Sequence, residues 1–181
     1  MATVKLLGIS GTLRVQGDNS KLLAEAARLF GDAQYTQADI KLPLYDGDEE
    51  TAQGVPASVD ALAQQIREAD AVLISTPEYN SGPSGVLKNA LDWISRSQIK
   101  PWEAKPVAVM SAAAGRTGGA KAQMILRSFM VPFRTRILQG PEIHLAKSYE
   151  AFDAQGQLVN EMYLKDLTQL MKALRAEIER A

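Results

Sequence analysis

The 181 residues carry 20 Lys plus Arg against 21 Asp plus Glu, a formal net charge of -1, with 46% hydrophobic and 23% charged residues. That balance fits one folded domain over residues 1–181, with no broad field to draw nucleic acid or a membrane surface. Cys is absent and His144 is the single His, which excludes disulfides, thiolate nucleophiles, iron–sulfur ligation and His-rich metal sites. No metal site is expected, and redox chemistry in this chain needs a borrowed organic cofactor.

Short β-type runs alternate with longer helical patterns from end to end, the mark of βαβ units and an α/β fold. The first strand is expected over residues 4–9. The start of the chain shows neither a basic segment nor a cleavage site, and no apolar run reaches the ~18 residues of a membrane span, so a cytoplasmic location is expected.

Strand one runs into Gly8-Ile9-Ser10-Gly11-Thr12-Leu13-Arg14, then Val15-Gln16-Gly17-Asp18-Asn19-Ser20 and a helix over residues 20–30. Glycines allow a tight turn and close approach to a ligand, hydroxyls donate to phosphate oxygens, and the helix start offers unpaired N–H groups. The same residues also fit a plain junction, with Asn19 or Ser20 as N-cap and Gly17 as a turn residue. Gly8 and Gly11 are wrongly spaced for G-x-G-x-x-G, and no Gly-Lys-Ser/Thr follows, so a mononucleotide phosphate fits better than a dinucleotide.

A weak second strand at residues 33–40 and a helix at 57–68 precede a third strand at 71–76. The next stretch is Ser75-Thr76-Pro77-Glu78-Tyr79-Asn80-Ser81-Gly82-Pro83-Ser84-Gly85, opening a helix over 84–95. Two prolines stiffen a loop that presents an aromatic ring and an amide, which suits a flat ligand and equally suits a rigid turn with Tyr79 as packing.

The fourth strand, at 106–112, is followed by Ser111-Ala112-Ala113-Ala114-Gly115-Arg116-Thr117-Gly118-Gly119 and a helix over 120–129. Small side chains there expose main-chain N–H groups, or relieve crowding at the sheet edge. A fifth strand is expected at 135–138. Residues 143–158, with Asp153-Ala154-Gln155-Gly156, read as a surface excursion with a turn, and His144 within it reads as structural. Leu164, Leu167, Leu170, Met171, Leu174 and Ile178 form one apolar stripe on a last helix at 161–180.

Right-handed crossovers then give a doubly wound, flavodoxin-like five-stranded parallel sheet of order 2-1-3-4-5 with helices on both faces. Its ligand edge lies beyond the carboxyl ends of the strands, where the first, third and fourth loops meet.

Four stretches carry a family likeness: the loop with Gly11-Thr12-Leu13-Arg14 and Asn19, the segment Leu42-Pro43-Leu44-Tyr45-Asp46, the run Thr76-Pro77-Glu78-Tyr79-Asn80 with Gly85-Val86-Leu87-Lys88-Asn89-Ala90-Leu91-Asp92-Trp93, and residues 111–119. On them the chain resembles the NADPH-dependent FMN reductase family, in its bacterial chromate, quinone and azo-dye reductase branch. The resemblance implies bound FMN, NADPH or NADH as donor, a small-molecule electron acceptor, and a homodimer or homotetramer with the flavin near the subunit boundary. It implies that Ser10, Thr12, Leu13, Arg14, Asn19 and Ser20 hold the phosphate and ribityl end. Pro77, Glu78, Tyr79 and Asn80 would line the isoalloxazine, and Ser111, Ala112, Ala113 and Gly115 its pyrimidine side.

Two departures stand out. Gly17 sits where the family often has a phosphate-binding Ser, which should weaken FMN affinity, and Ser81-Gly82-Pro83-Ser84 replaces a Tyr-Ser-Ile-Pro-like passage, which should widen the pocket mouth. No protein nucleophile is implied; Tyr79 and Arg116 are the substrate-site candidates, Arg116 as a lure for anions or as a solvated surface group. A flavodoxin-type electron carrier docking to protein partners is the alternative, disfavoured by near-zero net charge. A phosphoryl-receiver domain would need clustered carboxylates beyond strand one, and a serine hydrolase needs G-x-S-x-G, which Gly82-Pro83-Ser84-Gly85-Val86 misses.

Overall fold

The computed structural model describes residues 3–180; positions 1, 2 and 181 of the expected domain lie outside the described residues. In chain order the elements are β1 (Val4–Ser10), α1 (Asp18–Phe30), β2 (Ala33–Gln37), α2 (Gly47–Gln53), α3 (Ala57–Glu68), β3 (Ala71–Thr76), α4 (Gly85–Arg96), β4 (Pro106–Ala112), α5 (Ala120–Met130), β5 (Arg136–Ile137), β6 (Ile143–Leu145) and α6 (Glu161–Glu179). The strands pair in parallel in the order β2-β1-β3-β4-β5. This is the expected flavodoxin-like sheet.

The register shows why these runs are strands. Successive residues alternate between two helical layers, as the period of two requires. Leu6, Ala71, Leu73, Ala108 and Met110 face a core shared with Leu22, Leu23 and Ala26 of α1 and Leu167, Leu170, Met171 and Leu174 of α6. Leu7, Ile9, Val72, Ile74, Val107 and Val109 face the opposite core, formed with Leu62 and Ile66 of α3, Leu87, Leu91 and Ile94 of α4 and Leu126 of α5. Burial on both faces explains the unbroken apolar runs of β3 and β4, each such side chain contributing about 1.5–3 kcal/mol.

The expectation of a surface excursion at residues 143–158 is corrected. Ile143 and Leu145 are fully buried, and β6 extends the sheet by pairing Met110 with Ile143 and Ala112 with Leu145. β4 meets β5 only at its start, where Pro106 faces Arg136, so its far end is free to take this second partner. The return chain then packs on α1: Leu158 is buried and its N–H donates to Glu25 Oε1 at 3.3 Å. The turn at Asp153 is present, with Gly156 N–H donating to Asp153 O at 3.0 Å and Gly156 at φ 79.

α2 is an addition, because its sequence GDEETAQ has no apolar face and none of its residues is buried. It stands on its cap and one clamp. Asp46 Oδ1 accepts from Asp48 N–H at 2.8 Å, and Glu50 pairs with Arg96 Nε at 2.9 Å and accepts from Tyr45 Oη at 3.0 Å. Among the described residues no helix is long and apolar enough to cross a membrane.

Candidate active site

The three loops expected to carry chemistry emerge side by side at the carboxyl edge of β1, β3 and β4. The first opens at Gly11, whose N–H donates to Ser75 O at 2.7 Å and whose missing side chain leaves room for Pro77; a Cβ there would sit 3.0 Å from Pro77 Cδ. The β1 and β3 loops are therefore in contact at their roots. Thr12 Oγ1 accepts from Arg14 N–H at 3.2 Å, and Gly17 N–H donates to Arg14 O at 3.0 Å, folding residues 12–17 into a compact turn.

α1 begins behind that turn with Gly17 as N-cap and no side chain capping it. Neither Asn19 nor Ser20 takes the capping role. Among the described residues the N–H groups of Thr12, Leu13, Val15, Gln16, Asp18 and Asn19 have no protein acceptor outside the helix, and they belong to the turn leading into the positive end of the helix and to its first turn. Arg14 is exposed beside them, while Asp18 in the first turn opposes it. Gly17 is closely fitted, since a Cβ would lie 2.8 Å from Thr12 Cγ2 and 3.1 Å from Arg14 O. A Ser here needs Thr12 to shift.

Asn19 does a different job from the exposed loop residues. It is 4% exposed, and its Oδ1 accepts from Ser75 Oγ at 2.7 Å and Ala112 N–H at 3.1 Å, while its Nδ2 donates to Ala112 O at 3.0 Å. The β3–β4 ladder ends at Thr76 and Ser111. The Asn19 amide satisfies Ala112 where the next strand residue would have done so, tying the start of α1 to β3 and β4. Ser20 Oγ donates to Ser10 Oγ at 3.0 Å and accepts from Gln37 Nε2 at 3.4 Å. Gln37, at the end of β2, joins this polar knot with no local sequence signal to mark it.

In the β3 loop, Pro77 is buried, and Tyr79 and Gly82 exchange two main-chain hydrogen bonds of 2.9 and 3.0 Å around Asn80 and Ser81, both left-handed at φ 49 and 66. This tight hairpin holds Tyr79 58% exposed. Ser84 Oγ then accepts from Leu87 N–H at 3.4 Å and caps α4. Glu78 reaches sideways, with Oε2 accepting from Lys121 N–H at 3.1 Å and Ala122 N–H at 3.2 Å.

The β4 loop leaves Ala114, Gly115, Arg116 and Thr117 exposed, and the N–H groups of the first three have no protein acceptor among the described residues. Ser111 lies beneath it, fully buried, with Oγ donating to Gly118 O at 2.7 Å and accepting from Gln123 Nε2 at 3.3 Å. Its direction follows from strand period: residues 107, 109 and 111 all face the α5 side. Gly118, at φ 58, is pressed against the His144 carbonyl, where no side chain fits. Ala113 is fixed by N–H donation to Leu145 O at 3.0 Å and by accepting from Ser148 N–H at 3.2 Å. The segment after β6 thus braces this loop, which no local sequence signal announced.

Leu13, Arg14, Tyr79, Asn80, Gly115 and Arg116 are exposed at this edge, and Thr12 is half-buried there. Ser10, Asn19, Ser20, Ser111 and Ala112 lie below it with their polar groups bonded to protein. A separate groove of about 640 Å³ lies at the other end of the sheet, lined by Leu91, Trp102, Phe129 and Phe133 among others, away from the three loops. Among the described residues no cluster of three or more His, Asp or Glu could hold a metal ion.

Residues 4–150 match the family described as NADPH-dependent FMN reductase. The chain is 42% identical over 179 residues to an NAD(P)H-dependent FMN reductase of Pseudomonas aeruginosa, covering 98% of this chain and 96% of that one. It is 40% identical over 181 residues to a quinone reductase of Escherichia coli K12, covering 99% and 96%. Among solved structures it superposes on FerB, a flavoenzyme NAD(P)H:(acceptor) oxidoreductase from Paracoccus denitrificans, with a TM-score of 0.86 and 32% identity over 98% of both chains. A family match over residues 4–150, with relatives 42% and 40% identical along nearly the whole chain, makes the chain a member of the NADPH-dependent FMN reductase family.

Proposed function

We propose that this protein binds FMN at the carboxyl edge of the sheet and passes electrons from NADPH or NADH to quinones and kindred small oxidants. The observation that carries the reading is the uncapped start of α1, with its free N–H groups and Arg14, at the same sheet edge as the Tyr79 hairpin and the loop at 113–117. Unpartnered main-chain donors at a helix N-terminus suit a phosphate dianion. A stiff loop with an aromatic side chain facing a run of small residues suits a flat ring.

Thr12, Leu13 and Arg14 would hold the phosphate end, with Ser10, Asn19 and Ser20 fixing the backbone beneath them. Pro77, Tyr79 and Asn80 would border the ring together with the main chain of Glu78, and Ala113 to Gly115 would reach its pyrimidine side, where the free N–H groups of Ala114 and Gly115 would stabilise negative charge that builds on reduction. FMN supplies hydride acceptance and delivery when bound; the protein supplies position and exclusion of water. Tyr79 bounds the space that donor and acceptor enter in turn, which predicts ping-pong kinetics. Azo compounds, free flavins and anionic metal oxides such as chromate are the further acceptors, with Arg116 drawing the anions. We place the enzyme in the cytoplasm as a homodimer or homotetramer.

The test is NADPH oxidation by purified protein loaded with FMN and given a benzoquinone. Turnover well above that of free FMN, with parallel double-reciprocal plots, supports the reading; turnover equal to free FMN sinks it. Rapid bleaching of the bound flavin by NADPH alone separates an oxidoreductase from an electron carrier that needs a protein donor.

A further inference from the structure

We infer that Glu78 is a positioning residue: its carboxylate acts as the missing N-cap of α5 and so fixes the Tyr79 hairpin against the β4 loop. The inference rests on the ring-binding reading above. α5 starts behind Gly118 and Gly119, left-handed at φ 58 and 88, and no residue of its own caps it. Glu78 Oε2 fills that place from the β3 loop, accepting from Lys121 N–H at 3.1 Å and Ala122 N–H at 3.2 Å. Those are the second and third residues of the helix, the donors a side-chain cap ordinarily satisfies. Lys121 Nζ adds a longer tie of 3.5 Å to Ser81 Oγ, on the hairpin itself.

Two walls of the proposed ring site are thereby one unit. Tyr79 follows Glu78 directly, and its hairpin is closed by its own pair of main-chain bonds, so the backbone that carries the ring is tied to the first turn of α5. The arrangement also carries charge. A carboxylate seated on a helix N-terminus offsets the partial positive charge there, at the edge where bound FMN would be reduced. Geometry and charge separate in two variants. Glu78→Gln keeps a carbonyl oxygen for both N–H groups and deletes the charge, whereas Glu78→Ala deletes both.

The experiment compares Glu78→Ala, Glu78→Gln and the parent protein by amide hydrogen exchange without FMN, then by steady-state kinetics and flavin reduction potential with FMN. In Glu78→Ala, exchange at Lys121 and Ala122 should quicken about 5- to 30-fold, the loss of one N-cap. Its KM for NADPH and for quinone should rise at least about fivefold with kcat held within about threefold, the signature of weakened binding at a loosened Tyr79 wall rather than of a lost catalytic group. Glu78→Gln should restore exchange and KM to near the parent values, and in both variants the FMN potential should move positive. Unchanged exchange in Glu78→Ala overturns the cap. Faster exchange with parental KM and potential overturns the positioning role. Failure of the parent protein to bind FMN overturns the ring-binding reading and the positioning role with it, leaving exchange to report the cap alone.

Discussion

Replacing Asn19 with Ala tests whether the site is held together from beneath. The substitution removes three buried hydrogen bonds, of 2.7, 3.1 and 3.0 Å, and leaves the Ser75 hydroxyl and both main-chain groups of Ala112 without the partner they had. The hydroxyl can turn toward another acceptor, so the two main-chain groups dominate. At ~1–3 kcal/mol for each unsatisfied buried group, the loss comes to roughly 2–6 kcal/mol. That is a large part of the ~5–15 kcal/mol that holds a typical domain folded. Equilibrium urea unfolding of the FMN-free protein measures it directly, and FMN titration of the same samples should show weaker binding, because Asn19 also sets where α1 begins relative to β4. A destabilisation under ~1 kcal/mol together with parental FMN affinity refutes the account of Asn19 as a surrogate strand residue.

Other outcomes follow from the same geometry. Gly118→Ala forces a side chain onto the His144 carbonyl at a left-handed backbone position and should destabilise by at least ~2 kcal/mol in thermal or urea unfolding. Burial pushes the Tyr35 hydroxyl up to about 12 from its ordinary 10.0. The neutral form is therefore favoured in the fold: its stabilisation is complete below pH ~10 and is lost as pH rises toward ~12, at up to about 1.4 kcal/mol per pH unit. Tyr35→Phe should remove that slope from urea midpoints measured across this range. Arg14→Ala should weaken FMN binding about fivefold at low ionic strength and less at high salt, as fluorescence titration would read.

Much of this architecture is written in local pattern. β3 and β4 were legible to the residue because burial on both faces demands unbroken apolar runs, and α6 because its stripe repeats at helical spacing. α2 was not, since a polar heptapeptide held by Asp46 and the Glu50–Arg96 pair has no apolar face to detect. β6 was missed because three residues are too few to show a period, and its partner is the far end of β4 rather than a neighbour in sequence. At the site, residue types singled out the three loops that the fold gathers at one edge, while the engagements of individual side chains depended on tertiary distance. Glu78 meets N–H groups 43 and 44 residues away, and Asn19 meets a residue 93 positions on. Only the inward turn of Ser111 was available beforehand, from its parity with Val107 and Val109.

The free amides at the head of α1 have one more consequence. A grip formed by peptide nitrogens does not titrate, so its hold on an anion should stay level across the pH range in which neighbouring side chains gain or lose protons. It is also indifferent to which side chain each position carries. Val15 and Gln16 could be exchanged for most other residues with little effect, while proline at either position deletes a donor outright, a replacement that subtracts hydrogen instead of substituting bulk.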